Sequence, residues 1–294
     1  MTLGIEVTDL RLNYGTVTAL DGLTFSLSGG RIYGLLGRNG SGKTSLMSVL
    51  AAFRKASAGT VLIDGQPVWE NPAITRQVCL IRTNVDTLGS TDRISAALDF
   101  TAWHRPSWDA EFAATLLDRF RLSARTKIGA LSRGQRSVLG AVLGLASRAP
   151  VTMFDESHLG MDAPTRYAFY DTLLTDFIAH PRTIIVSTHL IEEVSPLFER
   201  VLIIDNGRLV LHEDADALRA RGVAVTGPAD AVDRLVAGHT VLGEKSLGPT
   251  KSAMVFGPVD DAFKDRARRA GLELGPIGLQ DLFVHLTEPA GESR

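Results

Sequence analysis

Apolar and polar residues alternate over the first thirty positions. The run is Ile5-Glu6-Val7-Thr8-Asp9-Leu10-Arg11-Leu12 and, after a Tyr14-Gly15 turn, Leu23-Thr24-Phe25-Ser26-Leu27. A period of two predicts antiparallel strands with one face in water. Arg31-Ile32-Tyr33-Gly34-Leu35-Leu36 is apolar almost throughout, the pattern of a strand covered on both faces. Residues 45–53 then bring apolar side chains back every three to four positions, which predicts a helix. Further strands are expected at 60–63 and 78–81, and helices across 91–145, including 110–120 and 132–147. Continuous apolar strands return at 151–155 and 183–187 around a helix over 163–179, a parallel βαβ unit. Asn206-Gly207 between two apolar runs predicts a hairpin.

The texture changes near Asp214, where Ala and Arg become frequent, and an internal echo follows. Val223-Ala224-Val225-Thr226-Gly227-Pro228-Ala229-Asp230 leads into a helix closing at Gly238. Ala253-Met254-Val255-Phe256-Gly257-Pro258-Val259-Asp260 leads into another closing at Gly271. Strands near 240–243 and 272–274 complete β-α-β-β-α-β, a ferredoxin-like order. The expected fold class is therefore α/β: a mixed sheet with an antiparallel β subdomain and a helical insert at about 85–150, plus a small C-terminal α+β domain. The expected boundary separates 1–215 from 216–294, and an amphipathic helix at 279–286 has the spacing to dock on the main domain.

Composition narrows the class without naming the chemistry. Of 294 residues, 45% are hydrophobic and 22% charged, as in ordinary globular proteins. A net charge of −2 argues against a broad nucleic-acid surface, so no nucleic-acid partner is expected. Cys79 is the single cysteine, which excludes an internal disulfide and fits a reducing compartment. The start shows no basic and apolar secretory pattern, and no apolar run approaches a membrane span. A cytoplasmic location is expected, with any membrane role supplied by a partner.

Gly37-Arg38-Asn39-Gly40-Ser41-Gly42-Lys43-Thr44 reads G-x-x-x-x-G-K-T between a buried strand and a helix, the context of a phosphate-binding loop. Glycines let successive backbone N–H groups turn toward phosphate oxygens, and the helix start adds its positive dipole end. Lys43 is expected on the β and γ phosphates of a nucleoside triphosphate and Thr44 on magnesium. Apolar strand 151–155 delivers Asp155, suited to hold magnesium through water, and Glu156, suited to polarise an attacking water. The plain alternative for both is a strand that ends in solvated acids.

Leu131-Ser132-Arg133-Gly134-Gln135 is a capping box by residue type, Ser132 with Gln135, and a helix start is itself an anion site. It also resembles the L-S-G-G-Q signature of the ABC (ATP-binding cassette) ATPases, at the family's position between the phosphate loop and Asp155. The resemblance covers about 1–215. It implies that Ser132, Gly134 and Gln135 touch nucleotide held by a second copy, and that His189, in Ser-Thr-His-Leu, is the switch histidine facing the γ-phosphate. The other six histidines have no comparable sequence context. Asp162, in Gly160-Met161-Asp162-Ala163, falls at the family's D-loop, although it also reads as a helix cap ahead of Pro164. Tyr14 falls where the family stacks an aromatic on adenine; a half-exposed turn tyrosine is its plain reading.

Two departures stand out. Arg133 replaces the usual signature glycine, and no glutamine follows Ile81 where the family's Q-loop ends, leaving Thr83 or Asn84 to substitute. The resemblance implies an ATP-hydrolysing subunit with ATP and Mg²⁺. It would dimerise with a second copy around ATP and power export through separate multi-span membrane permease subunits on the inner face of the membrane. Its C-terminal extension is similar to that of drug- and bacteriocin-export ATPases. The alternative is a non-transport or regulatory ABC ATPase with slow or no hydrolysis.

Overall fold

In the computed structural model, residues 2–82, 90–257 and 259–287 are described. Thr83 and Asn84 lie outside them, so the replacement for the glutamine has no structural account. The chain divides into two compact units, Met1–His189 with Leu197–His212, and Leu190–Pro196 with Glu213–Arg294.

In the first unit, β1 (Ile5–Tyr14) and β2 (Val17–Leu27) form a long antiparallel hairpin. Its alternating apolar residues Ile5, Val7, Leu10 and Leu12 are all buried. The alternation slips by one between Val7 and Leu10, where Asp9 takes a positive φ of 45° and the register shifts. Next come β3 (Ile32–Leu36), α1 (Lys43–Leu50), β4 (Ala58–Ile63), β5 (Gln66–Pro67), α2 (Pro72–Thr75) and β6 (Val78–Arg82). Helix α1 ends before the expected Phe53, because Ala51 caps it and Ala52 turns left-handed at φ 57°.

The helical insert contains α3 (Ile94–His104), α4 (Ala110–Arg119) and α5 (Arg133–Ser147). Then β7 (Val151–Asp155), α6 (Ala163–Ala179) and β8 (Thr183–Ser187) follow at the predicted bounds. A short α7 (Ile191–Val194) precedes β9 (Arg200–Asp205) and β10 (Arg208–Asp214).

Two sheets build this unit. One has the order β2-β1-β4-β5; the other runs β10-β9-β3-β8-β7-β6, with β9, β3, β8, β7 and β6 successively parallel. Every residue of β3, β7 and β8 is buried, which is why these strands read as unbroken apolar runs. Tyr33, Leu35, Leu46, Met47 and Met153 join Leu10, Leu20 and Leu23 in one core, so the loop after β3 springs from the most buried part of the unit. Full burial of each such leucine contributes about 1.5–3 kcal/mol.

The second unit holds α7, α8 (Ala215–Arg219), β11 (Gly222–Pro228), α9 (Ala229–Val236), β12 (Thr240–Leu247), β13 (Thr250–Phe256), α10 (Asp261–Arg269), β14 (Glu273–Pro276) and α11 (Leu279–Thr287). Its sheet order β12-β13-β11-β14, with all described pairs antiparallel, is the ferredoxin-like split βαβ arrangement. Val225, Val232, Val255, Phe263 and Ala267 form its separate core. Helix α11 packs on α7, α8 and β12 of its own unit.

Candidate active site

The phosphate loop leaves the buried end of β3 and enters α1 through Gly42, whose φ of 107° is the left-handed side of the map. A Cβ at Gly42 would lie 2.7 Å from the Ala19 carbonyl oxygen, so only glycine permits this approach to β2. The loop is braced from behind: Gly207 N–H donates to the Ser41 carbonyl at 3.0 Å and Asp21 N–H to the Gly207 carbonyl at 2.8 Å. The Asn206-Gly207 turn thus supports the loop as well as closing a hairpin. Gly37 and Ser41 are buried, while Arg38, Asn39, Gly40 and Thr44 are exposed along the loop and at the start of α1.

Lys43 is buried, and its Nζ donates to the carbonyls of Gly37 at 2.7 Å and Arg38 at 3.1 Å. Burial pushes the Lys43 ammonium below the usual lysine value, and the nearby charges of Glu156 and Asp155 oppose that shift. Asp155 at the end of β7 and Glu156 just beyond it thus bring their charges to the loop lysine. Asp155 is buried and accepts from Ser187 Oγ at 2.6 Å across the β7–β8 pair.

Glu156 steps off the strand at φ 49°, with its N–H donating to Ser187 Oγ at 3.1 Å. His189, exposed at the end of the segment after β8, donates from Nδ1 to Glu156 Oε2 at 2.8 Å; a carboxylate can only accept. Lys43, Asp155, Glu156 and His189 therefore converge.

His158 changes the expectation that no other histidine has a comparable setting. It lies two residues beyond Glu156, is buried, and holds Nε2 3.5 Å from Glu156 Oε2 and 3.3 Å from Thr188 Oγ1. Asp-Glu-x-His at a strand end was the available sequence signal, but only folding reveals that this side chain turns inward. Ser187 was missed for the same reason: its role depends on the register of β8 against β7.

The signature segment forms the capping box in full. Ser132 Oγ accepts from Gln135 N–H at 3.2 Å, and Gln135 Oε1 accepts from Ser132 N–H at 3.0 Å. A Cβ at Gly134 would sit 2.5 Å from the Gly160 carbonyl oxygen, so the signature helix rests against the loop before Asp162. Arg133 is exposed, with its aliphatic stem beside Gly160. Asp162 caps α6, accepting from Thr165 N–H at 2.9 Å; hydrogen bonding from the Thr165 side chain first, and then from its N–H, lowers the carboxyl pKa. Tyr14 is half-exposed; its hydroxyl lies 3.5 Å from Ser45 Oγ on α1, and the Arg54 guanidinium sits 5.7 Å from the centre of its ring. The signature segment and the Gly160–Asp162 loop thus form a second group in the same unit as the Lys43–His189 cluster, whereas Tyr14 lies beside α1.

The ABC transporter family pattern matches residues 20–158. The chain is 29% identical over 299 residues to the Nod factor export ATP-binding protein I of Burkholderia orbicola, covering 96% of each chain. It is 28% identical over 228 residues to the doxorubicin resistance ATP-binding protein DrrA of Mycobacterium tuberculosis, covering 74% of this chain and 68% of that one. A solved ATP-binding subunit of an ABC transporter superposes with a TM-score of 0.66 at 24% identity, covering 73% of this chain and 91% of the other, which shows the shared fold. With the phosphate loop, the Asp155-Glu156 pair, the capping-box helix and His189 assembled on that fold, this chain carries, over residues 20–158, an ATP-binding domain of the ABC transporter family.

Proposed function

We propose that the chain is the ATP-hydrolysing subunit of a drug-exporter-type transporter, held at the inner face of a membrane by multi-span permease subunits. The observation that carries this reading is the convergence of Lys43, Asp155 and Glu156, with His189 bonded to Glu156 at 2.8 Å. Relatives named for Nod factor export and doxorubicin resistance support the export direction. No helix among the described residues is long and apolar enough to cross a membrane, so translocation falls to the partner.

ATP would rest on the N–H groups of residues 37–44, with Lys43 exchanging the Gly37 and Arg38 carbonyls for phosphate oxygens. Glu156 accepts the proton of the attacking water as general base, and His189 fixes the carboxylate in place. Thr44 and the buried Asp155 offer oxygen donors only, the donor chemistry of Mg²⁺, and would hold that ion. Bound there, Mg²⁺ would neutralise phosphate charge.

The exposed Ser132, Gln135 and Asp162, with the partly buried Gly134, would complete the site of a second copy. The helix start they share attracts phosphate. ATP would then bias the dimer toward closure, and loss of the γ-phosphate would release it. We assign residues 1–215 to this cassette and 216–294 to an accessory domain; the two compact units support a division near there, with the boundary at Glu213 and with Leu190–Pro196 grouped in the second unit.

The test is coexpression with multi-span proteins encoded beside this chain. The expected result is copurification in detergent and phosphate release that rises when the partner is present. Turnover that the membrane partner leaves unchanged, or no turnover in the assembled complex, would overturn the reading.

A further inference from the structure

We propose that Glu156, His158 and His189 form a second cation site, selective for zinc-class ions, whose occupation stops hydrolysis. One ligand atom from each side chain lies within 4.8 Å of the others, and among the described residues this is the sole such grouping of histidine, cysteine and carboxylate. Glu156 Oε2 is 2.8 Å from His189 Nδ1 and 3.5 Å from His158 Nε2. Tetrahedral zinc, with bonds of about 2.0–2.2 Å, sets its ligands about 3.3–3.5 Å apart. The His158–Glu156 separation already matches, and the His189–Glu156 pair needs only to open by about 0.6 Å.

The donors decide which ion is favoured. Two imidazoles and one carboxylate suit zinc, cobalt and their neighbours, whereas magnesium prefers oxygen ligands and keeps its waters. Three protein ligands also leave a fourth position open. The scaffold is fixed on two sides. His158 is 1% exposed, with its ring 6.3 Å from Tyr170 and 6.0 Å from His189 between centroids. Ser187 Oγ accepts from the Glu156 N–H where the backbone turns left-handed.

Magnesium chemistry at Thr44 and Asp155 uses neither imidazole, so the two ions have different ligands. A zinc-class ion would draw the Glu156 carboxylate and the His189 ring away from water activation and leave Lys43 able to bind nucleotide. Binding stands on the geometry alone; inhibition rests on the catalytic assignment of Glu156 and His189 above.

The experiment uses the full chain without nucleotide. Cobalt titrated into it should give the visible bands of a tetrahedral site at one ion per chain, and zinc should bleach them. His158→Gln should weaken cobalt binding by about tenfold or more. The exposed His189→Gln should do the same, a variant whose folding is not at stake. Zinc titrated into Mg–ATP turnover should then inhibit the native chain, and each variant, scored against its own zinc-free rate, should need proportionally more.

Cobalt binding unchanged in both variants would overturn the site. Weakened binding with unaltered zinc inhibition would overturn the inhibitory role. If the zinc-free chain hydrolyses no ATP, the failure lies with the catalytic reading, and the cobalt titration still decides whether the site exists.

Discussion

Replacing Glu156 by Gln keeps the shape of the side chain and an oxygen that can accept from His189 Nδ1, but removes the base. General-base catalysis contributes about 10²- to 10⁴-fold. At about 1.4 kcal/mol per tenfold, that is roughly 3–6 kcal/mol of barrier. His189→Ala removes the 2.8 Å bond that orients the carboxylate. A hydrogen bond to a charged group is worth about 1.5–3 kcal/mol, and exposure of the His189 side chain, 48%, places this one at the lower end, a loss of about tenfold.

If His189 acts only through Glu156, the losses cannot add. The double variant Glu156→Gln/His189→Ala should turn over no more slowly than Glu156→Gln alone. The assay is phosphate release at saturating ATP for all four proteins, alongside nucleotide affinity, which should stay within about threefold because Lys43 and the loop are untouched. Glu156→Gln turnover within a few-fold of native, or strictly additive losses in the double variant, would refute the shared action at the 2.8 Å contact.

Gly134→Ala should lower turnover while sparing ATP binding to the phosphate loop, since its Cβ must displace backbone at Gly160; equal turnover in native and variant proteins counts against the contact. Asp176→Asn should cost about 3–5 kcal/mol, because Arg182, 3% exposed and 2.7 Å from Asp176, loses its buried counter-charge. For a unit of this size the melting temperature should fall by about 6–20 °C in calorimetry, and an Asp176→Leu/Arg182→Met pair should recover much of it.

His212 carries a pH signature. Burial first, then the Arg200 charge, holds its pKa below the ordinary 6.5. Above that value both folded and unfolded chains keep it neutral; below it the unfolded chain takes a proton that the folded chain resists, so stability falls as pH drops through the folded pKa. Thermal melts from pH 7.5 downward should show this loss, and His212→Phe, which keeps a ring against Phe25 and Tyr33, should flatten it.

Local pattern alone determined the strands β3, β7 and β8, the helix α6 and the phosphate loop, because strands buried on both faces and a helix with its own cap write their identity into adjacent residues. Asp155, Glu156 and Lys43 were legible for the same reason: each sits at the end or start of such an element. What folding alone decided is which of these ends meet. The order β9-β3-β8-β7 sets Ser187 against Asp155, and the turn at Glu156 sends His158 inward beneath it. Those relations join residues about thirty positions apart or reverse the direction of a side chain within two, and no periodicity records either. The sequence therefore named the candidate groups one by one, and the parallel sheet, by fixing register across strands distant in sequence, brought them together with a second histidine among them.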